Sequence, residues 1–259
     1  MNIAQRNVIE VTAKHFFKTS KPVIYVKWAQ TRDEIHAAQQ LRHAVFCDEF
    51  GAHLATNDGR DSDEFDLYAK HLIAIDLLTG QVVGTYRVLV PEHARKVGRL
   101  YMETEFDLSQ MAFTKHDVIE LGRSCVAIDY RDGAVLRRMW AALAEFLQSR
   151  TERYMIGCVS VKVTDDGTFA AHLCNELRPR LVDDTRLRVI PLDPMPSKAS
   201  SRSFNAVIPA LMRSYIKLGA KLMGPPFYDQ RFQCADFPML IETSTFEAKL
   251  SRSQRRIAA

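Results

Sequence analysis

No window of this 259-residue chain approaches the ~18 consecutive apolar residues that a membrane-crossing helix needs. Its opening stretch, MNIAQRNVIEVTAKHFFKTSK, lacks the uninterrupted apolar core of a secretory signal, so nothing in it suggests export. Cysteine is sparse and scattered. Cys47, Cys125, Cys158, Cys174 and Cys234 include no C-x-x-C pair, which argues against a disulfide frame or a zinc site and for reduced thiols in a cytosol. Neither a Rossmann G-x-G-x-x-G nor a Walker loop occurs. GCVSV lacks the second glycine of a nucleophile elbow, so a serine hydrolase is not supported. Two H-x-x-x-x-D matches, His53/Asp58 and His71/Asp76, are too short to carry weight, and the second lies in a strand-like segment that sends its ends to opposite faces. No metal-ligand cluster is visible, and none is expected. The net charge of +4 is too small an excess to argue for nucleic acid.

What remains has the make-up of a soluble globular enzyme, 47% hydrophobic and 25% charged, which one folded unit accommodates. KPVIYVKWA is β-branched and aromatic and predicts a strand. TRDEIHAAQQLRHAVFCDEFG places Ile35, Ala38, Leu41, Val45 and Phe46 at helical spacing, with Gly51 as a stop. The acidic segment AHLATNDGRDSDEFD reads as a loop, and residues 71–90 as a hairpin turning at Thr79-Gly80. An irregular stretch then leads to a strand around residues 117–126, a helix over 133–149, a strand over 154–161 and a short helix over 166–177. A polar stretch, 193–207, precedes a final helix–strand unit over 208–243, whose helix spans 209–222 with Pro209 in its first turn. A single domain over 1–248, followed by a frayed basic tail over 249–259, is therefore expected. The order of elements implies a mixed sheet covered by helices.

One segment breaks the pattern. In DVIELGRSCV, Val118, Ile119, Leu121 and Val126 suit a half-buried strand, but Glu120 and Arg123 do not. A buried charge needs a partner or a function. Strict alternation puts the two on opposite faces, and a bulge at Gly122 would bring both to one cleft. Glu120 is the candidate general base, and a structural salt bridge to Arg123 or Arg87 is its alternative role. The strand runs through YRDGA into a helix that opens at Gly133 and Ala134, and such a helix start suits a phosphate.

Four ordered segments, LRHAVFCDEFG, DSDEFD, VVGTYRVL and ELGRSCV, resemble the acyl-homoserine-lactone synthases. They are closer still to the bacterial ornithine-lipid N-acyltransferases of the GNAT superfamily. PALMRSYIKLGAKLMGPPFYDQRFQCADFPMLI is similar to the ornithine-lipid branch in particular, so the resemblance spans roughly residues 35–243. It implies an α/β GNAT-like fold, with a mixed, mostly antiparallel central sheet flanked by helices. It also implies an amide-forming N-acyltransferase that moves a (3-hydroxy)fatty acyl group from acyl-carrier protein to the α-amine of ornithine. No cofactor is then expected beyond the carrier's phosphopantetheine thioester.

The same resemblance implies site residues. Glu120 and Arg123 are catalytic. Arg42, Asp63, Asp66 and Arg87 shape the acceptor site, with the two aspartates holding the acceptor's side-chain ammonium or closing the loop over the site. Val126, Arg131, Gly133, Ala134, Arg137 and Arg138 serve the donor, although Ala134 stands where the family pattern has a second glycine. The Arg137-Arg138 pair suits an acidic carrier protein. The tail's Arg252, Arg255 and Arg256 suit the inner face of an anionic membrane, giving a cytoplasmic, peripheral protein. Other readings are a signal synthase acylating a different amine and a non-catalytic carrier- or membrane-binding module.

Overall fold

The computed structural model describes residues 21–53, 58–111, 117–195 and 207–258. Within them the main strands are β1 (Ile24–Trp28), β2 (Lys70–Asp76), β3 (Gln81–Leu89), β5 (Val118–Val126), β6 (Tyr154–Lys162) and β10 (Cys234–Glu242). Four short ones, β4 (Phe106–Asp107), β7 (Ile190–Pro191), β8 (Lys221–Leu222) and β9 (Phe227–Asp229), complete the set. The central sheet runs β1-β2-β3-β5-β6-β10-β8, with β9 also on β10, while β4 and β7 form a separate pair. Every pairing is antiparallel except β5 with β6. The sheet is therefore mixed and mostly antiparallel, as expected.

The helices are α1 (Arg32–His43), α2 (Pro91–Val97), α3 (Ala134–Leu147), α4 (Thr168–Leu177), α5 (Ala210–Leu218) and α6 (Thr243–Ala258). Helix α1 starts on a capping box, with Thr31 Oγ1 accepting from Glu34 N and the Glu34 carboxylate accepting from Thr31 N. It continues as a π-helical turn over Ala44–Glu49. Helix α3 buries the stripe Val135, Met139, Trp140, Leu143 and Leu147 against the main core, beside Leu72, Tyr86, Val88 and Ile119 of the sheet. A second core of Phe65, Leu100, Met102, Phe106, Tyr154 and Leu240 packs under the 3-10 turn Tyr101–Thr104.

Several expectations are corrected. The stretch taken as irregular contains α2, which ends on Gly98 at φ +90. Helix α5 stops at Leu218, short of 222, because Gly219 adopts φ +107 and turns the chain into β8. The final helix–strand unit, expected within the same domain, extends the central sheet, since β10 pairs with β6 along nine residues. The basic segment is not frayed over its described length. It continues α6, whose Phe246 and Leu250, one turn apart, are buried in the main core.

Strands β5 and β6 pair only at Val118–Tyr154, Ile119–Met155 and Glu120–Ile156, and part beyond that point. They still touch one residue later. A Cβ built on Gly157 would lie 2.2 Å from the carbonyl oxygen of Leu121. Because that neighbour is backbone, Gly157→Ala must displace a strand, and the variant is expected to lose about 1–3 kcal/mol of stability. Urea unfolding checks this; an unchanged midpoint would show that the crossing is loose.

Candidate active site

The gap where β5 and β6 separate opens into a cavity of about 580 Å³ with mostly apolar walls. Glu120 and Arg123 both line it. The bulge that achieves this lies one residue beyond the expected place. Arg87 pairs with Gly122 and Thr85 with Cys125, so Arg123 and Ser124 together face Tyr86. Arg123 itself takes the left-handed backbone, φ +49. Gly122 has no positive φ and open space around it.

Glu120 is 5% exposed. Its Oε2 accepts from Tyr101 N and its Oε1 from Met102 N, both at 2.7 Å. Burial pushes its carboxyl up to about 7, against the opposing pull of those two amides and of the Arg87 charge. The alternative role, a salt bridge to Arg87 or Arg123, is not what the structure shows: both arginines bind aspartates instead. Arg87 Nη1 donates to Asp63 Oδ1 at 2.6 Å. Arg123 Nη2 donates to Asp63 Oδ2 at 3.2 Å, and its Nε lies 3.1 Å from Asp61 Oδ2 without hydrogen-bond alignment. Beneath both guanidinium groups lies the Tyr101 ring, its centre 5.2 Å from Arg87 and 4.8 Å from Arg123.

Behind them Arg42, with no exposed surface, completes the lattice. It donates from Nε to Asp61 Oδ2 at 2.8 Å and bidentately to Asp66 at 2.7 and 2.8 Å, with a further bond from Nη2 to the Asp61 carbonyl. Three arginines and three aspartates thus neutralise one another. This corrects the assignment of Asp63 and Asp66 to a substrate ammonium. Asp66 is 6% exposed, and both its oxygens accept from Arg42. Arg42, Asp63 and Asp66 are also absent from the cavity wall, whereas Arg87 is on it.

On the expected donor side, Val126, Arg131 and Gly133 line the cavity, but Ala134, Arg137 and Arg138 do not. Arg131 donates to Val126 O and to Glu49 Oε2. Gly133 precedes α3 at φ +86, and Ala134 N donates to Asp132 Oδ1 at 2.8 Å. One amide of the helix start is therefore already taken by a carboxylate. Arg137 and Arg138 are exposed on the first turn.

The sequence reading missed a second acidic group. Glu105, Asp229 and Asp236, each 4% exposed, bring carboxylate oxygens within 4.8 Å of one another on the cavity wall. Unlike Asp61, Asp63 and Asp66, they have little cationic company. Asp229 Oδ1 accepts from the amides of Arg231 and Phe232, with Arg231 Nε 4.0 Å away. Glu105 and Asp236 face the thiols of Cys158 and Cys234, each at 3.5 Å. Burial, reinforced by the neighbouring charges, holds Glu105 well above the usual carboxylate range and pushes Asp236 up to about 6. Glu105 and Asp236 therefore hold a proton more readily than ordinary carboxyls, and a nearby cation would favour their ionised forms.

A family model described as an acetyltransferase (GNAT) domain matches residues 41–141. The solved acyl-homoserine-lactone synthase LasI superposes with a TM-score of 0.55 at 14% identity, over 89% of this chain and 95% of its own. BjaI, described as a CoA-dependent acyl-homoserine lactone synthase, gives 0.54 at 16% identity over 89% of each chain. The fold is that of the GNAT acyltransferases. An L-ornithine N(alpha)-acyltransferase of Rhodobacter capsulatus is 31% identical over 246 residues, 88% of this chain and 93% of the relative. One of Brucella abortus is 30% identical over 233 residues, 82% and 81% of the two chains. The chain belongs to the L-ornithine N(alpha)-acyltransferase family and is an amide-forming acyltransferase.

Proposed function

We propose that this protein transfers a (3-hydroxy)fatty acyl group from the thioester of acyl-carrier protein to the α-amine of ornithine, giving a lyso-ornithine lipid. The α-ammonium first loses a proton to Glu120, directly or through water. The neutral amine attacks the thioester carbonyl, the C–N bond forms and the C–S bond breaks, and the second proton lost by the nitrogen passes to the leaving thiolate, giving the amide and the free thiol. The apolar cavity holds the acyl chain, and Arg123 and Arg87, the two arginines of the lattice that reach its wall, would share the acceptor carboxylate with Asp63. The exposed Arg137 and Arg138, beside the donor turn, suit an acidic carrier. No helix among the described residues is long and apolar enough to cross a membrane, and we place the enzyme on the cytoplasmic side as a peripheral protein.

The observation that carries the acceptor assignment is the buried trio Glu105, Asp229 and Asp236 on the wall shared with Glu120. A distal ammonium would add a cation beside Glu105 and Asp236 and favour their ionised forms. Ornithine binding is therefore expected to tighten as pH rises through about 6. A charged hydrogen bond is worth ~1.5–3 kcal/mol. Asp236→Asn or Glu105→Gln should thus lower kcat/KM for ornithine roughly 10- to 100-fold, with little change for glycine, which has no distal ammonium. Lysine, one methylene longer, should remain a weaker substrate at a cost of ~1–3 kcal/mol. Competition among the three amines with acyl-carrier donor checks this. If glycine wins, the assignment fails; if a chelator abolishes wild-type turnover, the trio serves a metal ion rather than an ammonium.

A further inference from the structure

The direction of each strand fixes what gathers at the end of the sheet where the cavity opens. Strand β5 runs toward that end and finishes at Val126, which lines the cavity. The antiparallel pairings then bring the start of β1 and the β2–β3 turn there as well. At this end Val23 is 49% exposed, Leu77 57% and Ile128 64%, with Leu78 and Tyr25 also open to solvent. They are neighbours. Leu77 N donates to Val23 O at 2.9 Å, and Tyr130, two residues after Ile128, donates its hydroxyl to Asp76, just before Leu77. Single exposed apolar residues are ordinary, but five on adjoining strand ends and turn tips form a patch.

We propose that this end of the molecule rests on an anionic bilayer, with the apolar tips entering the interface beside the cavity mouth. A bilayer is favoured over a protein groove, because the apolar groups sit exposed on strand ends and turns and do not line the cavity. The surrounding charge agrees. Lys21, Arg137 and Arg138 are exposed at the same end, and Arg138 Nη1 donates to Ile24 O, directly beside Val23. Asp129 and Asp132 oppose them, the latter accepting from Ala134 N. Helix α6 follows β10 and so runs antiparallel to α3, carrying the exposed Arg252 and Arg255 toward this end. Apolar side chains with flanking cations are the chemistry of interfacial binding. The idea rests on the proposed activity only in giving such contact a use: a one-chain amphiphile would pass from the cavity into lipid without crossing water.

The test is sedimentation of the full chain with vesicles of phosphatidylcholine, with and without phosphatidylglycerol, at low and high salt. Wild type is expected to bind the anionic vesicles, weakening with salt. The triple variant Leu77→Ser/Leu78→Ser/Ile128→Ser is expected to bind at least tenfold more weakly while keeping its turnover of carrier-borne donor in vesicle-free buffer. A single Leu77→Trp variant gives an independent readout, a blue-shifted emission on adding anionic vesicles. Wild type that binds no vesicles, a triple variant that binds as well as wild type, or an unshifted emission from the Leu77→Trp variant would each overturn the proposal. So would loss of turnover with unchanged vesicle binding, which would assign the patch to the carrier protein. Vesicle binding needs no substrate, so a failed acyltransferase assay leaves this result readable.

Discussion

Replacing Glu120 by Gln is expected to slow acyl transfer on the order of 10²- to 10⁴-fold, the usual weight of a general base. The wild-type pH profile should carry the same signature. Glu120 accepts a proton only when ionised, and burial raises its carboxyl to about 7. The kcat/KM of the wild type should therefore climb with pH up to an inflection near 7 and then flatten, and that limb should vanish in the variant. The substitution is not isosteric in its hydrogen bonds. Both carboxylate oxygens accept from backbone amides, Tyr101 N and Met102 N, and a Gln side chain offers one of them an NH₂ instead. A loss of about 1–3 kcal/mol of stability is expected alongside the rate. Rates must therefore be normalised to folded protein, measured by urea unfolding of the same sample. A folded variant with near-normal turnover and an unchanged pH limb would make Glu120 a peg for the Tyr101–Thr104 turn and nothing more.

Two of the deciding features were legible from the sequence for the same physical reason. A carboxylate and a guanidinium inside an apolar strand, Glu120 and Arg123, are out of place unless something uses them. The pattern also forced a bulge to explain how both reach one cleft. Its position was not legible, because glycine was the natural guess for a bulge, whereas Arg123 takes the left-handed backbone and is held by Asp61 and Asp63. The same logic, applied to ADFPMLIET, would have found Asp236, a carboxylate inside the buried run of strand β10. Glu105 and Asp229 were out of reach of any spacing rule. They come from the end of a 3-10 turn and a three-residue strand more than a hundred positions apart, and only the insertion of β10 beside β6 brings them together. Asp63 and Asp66 misled in the opposite sense. An acidic run in a loop resembles a cation site, and nothing local reveals that three arginines from α1, β3 and β5 already occupy it.

That lattice sets the second large effect, which falls on stability rather than on rate. Arg42 has no exposed surface and holds Asp61 and Asp66 together. Burial alone would raise the Asp66 carboxyl, but the hydrogen bonds and charge of Arg42 overcome it and hold Asp66 well below the usual carboxylate range. Arg42→Ala leaves two buried carboxylates without their main partner, a change that typically costs ~3–5 kcal/mol. The sign of the pH dependence follows. In the wild type the depressed Asp66 contributes stability that is present above its unfolded value of 3.8 and lost as pH falls through the folded value. In the variant burial prevails at Asp66, so its stranded carboxyl protonates more readily and the penalty fades in acid. The gap in urea midpoint between wild type and Arg42→Ala should therefore be widest near neutral pH and narrow toward pH ~4. Asp66→Asn, which leaves Arg42 still paired to Asp61, should cost less. If Asp66 were a substrate ligand instead, Asp66→Asn would raise KM for ornithine well beyond its effect on glycine while leaving the urea midpoint in place. A scaffold role predicts the reverse: a lowered midpoint, and an acceptor preference still governed by Glu105 and Asp236.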